Sequence, residues 1–74
     1  MKLSRPELIV LLSALEPLLY NGSRYTALVA AQPDVPTYRS SYRPWLHSLN
    51  SNKLVDFARV VLVILTAAPP TYPR

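Results

Sequence analysis

The first apolar residues of the chain are spaced for a helix. Leu8, Leu11, Leu12 and Leu15, continued by Leu18 or Leu19, recur at intervals of three and four, with Ser13 and Glu16 on the other side, which is the period of one helix face. Ser4 and Glu7 stand ahead of this stripe at capping-box spacing: the Ser4 hydroxyl can accept from the amide of Glu7 while the carboxylate accepts from the amide of Ser4. Leu3 and Leu8 flank the box as a hydrophobic staple, and Pro6 lies in the first turn, where a missing amide costs nothing. Pro17 leaves the carbonyl of Ser13 without its donor, so the helix is expected to stop or kink near Glu16.

Asn21-Gly22 is a turn signal, and Ser23 behind it is the expected N-cap of a second helix from Arg24 to about Ala31, with Leu28 and Tyr25 or Ala31 inward. Pro33 and Pro36 then impose an extended or turn segment around Asp34 and Val35. Residues 37–49 are the least regular part; one or two short helices are expected there, with Tyr38, Tyr42, Trp45, Leu46 and Leu49 as burial candidates. A loop over residues 49–52 ends in an N-cap, for which Ser51 is the candidate, and Asp56 is expected in the following first turn. Leu54, Phe57, Ala58, Val61, Leu62 and Leu65 repeat at helical intervals opposite Lys53, Asp56 and Arg59.

From Val60 onward the last helix is apolar all round, as in a helix at the centre of a bundle or one facing a partner. A buried strand is the alternative for this β-branched run, because periodicity does not separate the two over so few residues. Residues 67–74 contain three prolines and are expected to be an extended spacer. The pattern therefore predicts an all-α fold, a compact bundle of four to five short helices over residues 1–66. A Pro-rich linker or tail over residues 67–74 completes the chain, which reads as the N-terminal domain of a longer protein.

Composition narrows the function classes. With 74 residues, half of them apolar, one Gly and no Cys, the chain makes a single small domain whose core carries stability alone. A composite enzyme with separate substrate and cofactor domains is excluded, as are disulfides and thiolate metal sites. Residues 8–12 imitate a short signal peptide, but Glu7 and Glu16 interrupt the segment. The most apolar stretch, residues 60–68, is nine residues long, where a membrane span needs roughly twenty. A cytoplasmic protein without a membrane partner is expected.

The formal charge is +4, but the cations Lys2, Arg5, Arg24, Arg39, Arg43, Lys53, Arg59 and Arg74 are dispersed with no run of three. Phosphate-tracking segments cluster their cations, so nucleic acid is the disfavoured partner. His47 is the only histidine, and the carboxylates Glu7, Glu16, Asp34 and Asp56 fall on different segments, so no metal site is expected. No serine sits in a nucleophile elbow, and a single glycine, Gly22, gives no phosphate loop. No catalytic residue and no cofactor are expected. Tyr38, Arg39, Tyr42, Arg43 and Trp45 interleave aromatic and basic side chains in a way that could stack on single-stranded bases. The favoured arrangement has Trp45 and one tyrosine in the core and the arginines toward solvent or a protein. Pro69-Pro70-Thr71-Tyr72 matches the short PPxY pattern gripped by WW domains.

Residues 3–8 (Leu3-Ser4-Arg5-Pro6-Glu7-Leu8) with Leu11, Leu12 and Leu15, Ser23-Arg24 with Leu28 and Ala31, and Ser51 through Asp56-Phe57-Ala58-Arg59 and Leu62 together resemble a bacterial effector-associated domain, a small death-like helical adaptor module. The resemblance covers residues 3–66. It implies a death-like fold and a noncatalytic adaptor in a bacterial conflict or programmed-death signalling system. Such a domain recruits a protease or nucleotide-driven switch by pairing with a similar domain, or with itself as a homo-oligomer. Complementary charged patches would then select the partner. The contact candidates on this basis are Glu16, Arg24, Asp34, Arg39, Tyr42, Arg43, Asp56 and Arg59, with the arginines facing Glu16, Asp34 or Asp56 of a partner. The alternative is a small basic nucleic-acid-binding or phage-type regulatory protein. A third possibility, an accessory subunit that folds on a larger assembly, rests on the apolar run from Val60 to Leu65.

Overall fold

The structure is a computed structural model that describes residues 3–67. Helix α1, Arg5–Ala14, starts as its capping box dictates: the Glu7 amide donates to Ser4 Oγ at 3.3 Å and the Ser4 amide donates to Glu7 Oε1 at 2.9 Å. It ends before Pro17. Leu15 serves both as C-cap of α1 and N-cap of a one-turn helix α2, Glu16–Leu19, and Pro17 occupies the first turn of α2, where no amide is needed.

Helix α3 is Gly22–Ala31, capped by Asn21 in extended conformation. Gly22 adopts a φ of +53°, so the chain turns into the helix there, and Ser23 falls inside the first turn instead of capping it. A connector leads from Gln32 to a 3₁₀ turn, Arg39–Ser41, which runs into α4, Tyr42–Ser48. Helix α5, Ser51–Thr66, is capped by Asn50, whose Oδ1 accepts from the Lys53 amide at 2.8 Å. Ser51 is thus the first helical residue and not the cap, and Asp56 lies beyond the first turn. The β-branched run from Val60 to Ile64 is helical, and no strand occurs among the described residues. The protein is an all-α bundle.

Helices α1 and α4 run antiparallel: the Arg5 guanidinium donates to the His47 carbonyl at 3.0 Å at one end, and the Tyr42 hydroxyl donates to the Leu12 carbonyl at 2.8 Å at the other. Helix α5 packs against α1 on one side and α3 on the other, and α2 bridges α1 to α3. Between them lies one core of Leu8, Ile9 and Leu12 from α1, Leu19, Leu28, Val35 from the connector, Tyr42 and Leu46 from α4, and Leu54, Phe57 and Val61 from α5. An aromatic chain crosses it. Tyr20 contacts Tyr25 and, edge-on, Tyr42; Phe57 lies beside Tyr42 and takes Trp45 in a T-shaped contact at 4.9 Å, the geometry favoured by ring quadrupoles.

The apolar stripes are narrower than their spacing predicts. Leu19 is inside while Leu18 is exposed, and Leu11 and Leu62 also face outward. Tyr38, expected inside, is 75% exposed because the connector turns it away before the 3₁₀ turn. The expected Pro-rich linker, the PPxY match, Lys2 and Arg74 lie outside the described residues.

Candidate functional site

The surface is built from what the five helices of the described residues cannot bury. Leu8 to Leu12 are five consecutive apolar residues, and at about 100° per residue they travel more than once round a helix. One side of α1 meets the core; the other leaves Val10 68% and Leu11 46% exposed. The same arithmetic applies to α5, where the apolar run leaves Leu62 59% and Val63 66% exposed. These side chains were absent from the charge-based contact set, although uninterrupted apolar runs in helices carried the signal.

Two grooves follow. Between α1 and α4 an open groove of about 490 Å³ has Pro6, Ile9, Val10 and Ala14 as its apolar floor, with Arg43 and His47 on the α4 rim. Between α3 and α5 a smaller one, about 220 Å³, is lined by Ala31, Val60, Val63 and Ile64 beside Arg59.

The expected contact residues are distributed unevenly over this surface. Glu16 and Arg39 are brought together within the chain: Arg39 Nε and Nη2 donate to Glu16 Oε2 at 3.0 and 2.7 Å. Each was expected to seek its opposite charge on a partner, and the fold supplies it internally, since Pro17 starts α2 beside the 3₁₀ turn. Tyr42 is fully buried and is a core residue, not a contact residue. Its ring fills the junction of α1, α4 and α5 and its hydroxyl is engaged by Leu12. Arg24 on α3 and Asp34 in the connector are exposed and separate from the others. Asp56 and Arg59 are exposed one turn apart on α5, and Arg43 is exposed on α4. Among the described residues Arg39 with Glu16 is the one salt bridge.

Among the described residues three ionisable groups are shifted. Burial pushes the Tyr20 hydroxyl up to about 12, with Tyr25 and Glu16 adding to it. Burial raises that of Tyr42 further, again with help from Tyr20 and Glu16. The Ser4 amide, then the Ser4 hydroxyl, hold the Glu7 carboxyl below the usual carboxylate value. All three shifts follow from capping or packing. Tyr20 donates to the Pro36 carbonyl at 2.6 Å, with Tyr25 beside it at 3.5 Å, and so ties the connector to α2 and α3. Among the described residues no cluster of three His, Asp or Glu side chains could hold a metal, and no helix is long and apolar enough to cross a membrane.

No family model matches the chain, and neither a curated protein nor a solved structure does.

Proposed function

We propose that this is a noncatalytic protein-interaction domain, which recruits or couples an effector by associating with a similar helical domain, as the resemblance to bacterial effector-associated domains implies. A cytoplasmic setting within a conflict or programmed-death signalling system is part of the same proposal. The observation that supports it is the outer apolar surface: Val10 and Leu11 on α1 and Leu62 and Val63 on α5 remain in solvent, with Arg43 and Glu7 beside Val10 and Arg59 beside Val63. A solvated helix carries polar residues on its outer side, whereas apolar side chains rimmed by arginine are the composition of protein contact surfaces. Exposed charges there would contribute orientation and partner choice more than affinity.

The test is quantitative capture of host proteins by the immobilised full chain, with Val10→Asp and Leu62→Asp as comparison surfaces. Both positions are exposed, so the fold should tolerate the changes. The proposal expects a protein retained by the native surface and lost from at least one variant, with nuclease treatment having no effect. Capture that is equal on all three surfaces counts against it, and a low-salt mobility shift of nucleic acid that weakens steeply with salt would favour the basic regulatory alternative.

A further inference from the structure

The chain passes from α2 into α3 through Asn21-Gly22, two exposed residues, and a Cβ built on Gly22 meets nothing within 4 Å. Asn21 caps α3 by its backbone alone: its side chain makes no capping bond, so the carboxamide carbon is open to attack. The Gly22 amide lies in the first turn, where a helix supplies no acceptor, and no other acceptor meets it among the described residues. An asparagine side chain and the next main-chain nitrogen can close a five-membered imide ring when that nitrogen eclipses the asparagine Cβ, a ψ of about −120° for an L residue. Asn21 stands at ψ 110° and Gly22 at φ +53°, which turns the nitrogen away from the side chain. The reactive arrangement differs by a rotation of that single peptide plane through about 130°, which leaves Gly22 at a φ of about −77°, an ordinary helical angle. Glycine alone takes both φ values at little cost. The rotation gives up one bond, from the Arg24 amide to the Asn21 carbonyl at 3.1 Å.

We infer that Asn21-Gly22 is a self-modification site: the folded chain converts Asn21 through a cyclic imide to aspartyl and isoaspartyl forms, and the isoaspartyl form loosens the start of α3. The Gly22 nitrogen loses its proton to solvent base and bonds to Asn21 Cγ; the Cγ–Nδ2 bond breaks, and ammonia leaves with a proton taken from water. Water then opens the ring. Addition at Cγ breaks its new bond to the Gly22 nitrogen and leaves aspartate, a good N-cap beside the positive end of the helix. Addition at the main-chain carbonyl breaks that bond instead and leaves isoaspartate, joined to Gly22 through its side-chain carbon, with one more carbon in the main chain. No oxidation state changes, and water is the only co-reactant. The extra carbon falls between Tyr20 and Tyr25, whose hydroxyls both donate to the Pro36 carbonyl, so it disturbs the tie that holds the connector. The other asparagines, Asn50 and Asn52, are placed against this chemistry. Asn50 Oδ1 accepts from the Lys53 amide at 2.8 Å, which engages both the Asn50 side chain and the nitrogen that follows Asn52.

The experiment incubates the folded full chain in neutral buffer at physiological temperature and follows it by peptide mapping, with an isoaspartyl-specific methyltransferase to count isoaspartate. A peptide of residues 18–26 serves as the unfolded reference. Asn21 should convert within about tenfold of the peptide's rate, as local opening allows, while Asn50 and Asn52 stay intact. Asn21→Ser should keep the fold and abolish the mass change of an amide turned carboxylate. A site reached only by global unfolding would be protected roughly a thousandfold or more. Tyr42→Phe separates the two routes: it should leave the Asn21 rate unchanged if one peptide plane turns, and raise it roughly five- to thirtyfold if the whole chain must unfold. The purified isoaspartyl chain should unfold at a lower urea concentration than the native chain and shift the amides of Val35 and Thr37, whereas Asn21→Asp should do neither. Thousandfold protection, a rate that rises in Tyr42→Phe, equal conversion at Asn50 or Asn52, or an isoaspartyl chain with the native urea midpoint would each overturn the inference.

Discussion

The Tyr42 hydroxyl donates to the main-chain carbonyl of Leu12 at 2.8 Å, joining residues thirty apart in the chain. The break before Pro17 explains why that carbonyl needs a second donor: the Leu15 amide reaches it only at 3.3 Å, as α1 tightens into its last turn. Tyr42→Phe should therefore lower stability by about 1–2 kcal/mol, the cost of leaving a buried carbonyl poorly paired. Tyr42→Ala should cost about 3–5 kcal/mol through the added cavity. Urea titration checks both. A neutral Tyr42→Phe would mean that water or a shift of α4 satisfies Leu12 instead.

The same buried hydroxyls make the fold sensitive to alkali. An unfolded tyrosine ionises near pH 10, whereas in the fold Tyr20 is pushed up to about 12 and Tyr42 is raised as well, both chiefly by burial. The unfolded chain thus loses these protons first. Stability should be level below pH 10 with respect to these groups and fall as pH rises through 10 to 12. The urea midpoint, followed from pH 8 to 11.5, should drop less steeply in Tyr42→Phe than in the native chain. Parallel slopes would remove Tyr42 from this account.

Much of this fold was legible because several signals agreed locally. Ser4, Pro6 and Glu7 specify a helix start among neighbours alone, and the structure has it. Pro17 likewise marks a break through the chemistry of its own amide. Signals that rank similar residues failed: Asn50 and Ser51 are both good caps, and the register of Leu54, Phe57 and Val61 against the core decides between them. Leu18 and Leu19 are alike in hydropathy, and only the placement of α2 across α1 and α3 buries the second. In the candidate site, charge pointed to Arg43 and Arg59 but could not show that Glu16 and Arg39, 23 residues apart, meet within the chain.

That internal pair makes a prediction of its own. Arg39 is 57% exposed and Glu16 only 16%, so the partners are not equivalent. A double-mutant cycle should give a coupling below about 1 kcal/mol, as for other solvent-edged ion pairs, and about 1 M salt should shrink it. Arg39→Ala should nevertheless cost more than Glu16→Gln, because it leaves a carboxylate half-buried without its donor. The reverse order, measured by thermal or urea unfolding, would place the pair fully in solvent.

At the other end of the pH scale the capping box is the sensitive element. The Ser4 amide and hydroxyl favour the ionised Glu7, whose folded value lies below the ordinary 4.5. Its contribution to helix α1 is therefore present above that value and is lost as pH falls through the lower, folded one. Carboxyl carbon shifts across an acid titration should show Glu7 titrating below an unfolded reference. Ser4→Ala should bring it part of the way back, since the backbone donor survives. A Glu7 unaffected by Ser4→Ala would assign the whole shift to the amide.

Gly22 offers a test in which the sign of the effect depends on chirality. Its φ is +53°, and a Cβ built there meets no atom within 4 Å, so packing plays no part and the backbone alone decides. An L-alanine at this position must adopt the left-handed region at a cost of roughly 1–2 kcal/mol. L-asparagine, which tolerates that region better, should cost less. A D-alanine prefers this φ and has fewer unfolded conformations to lose than glycine, so it should stabilise by about 0.4–1 kcal/mol. A chain of 74 residues is within reach of chemical synthesis, and urea midpoints of the three variants give the comparison directly. Destabilisation by both enantiomers would contradict the open space at Gly22; destabilisation by L-alanine alone, with a gain from D-alanine, would establish the left-handed turn as what launches α3.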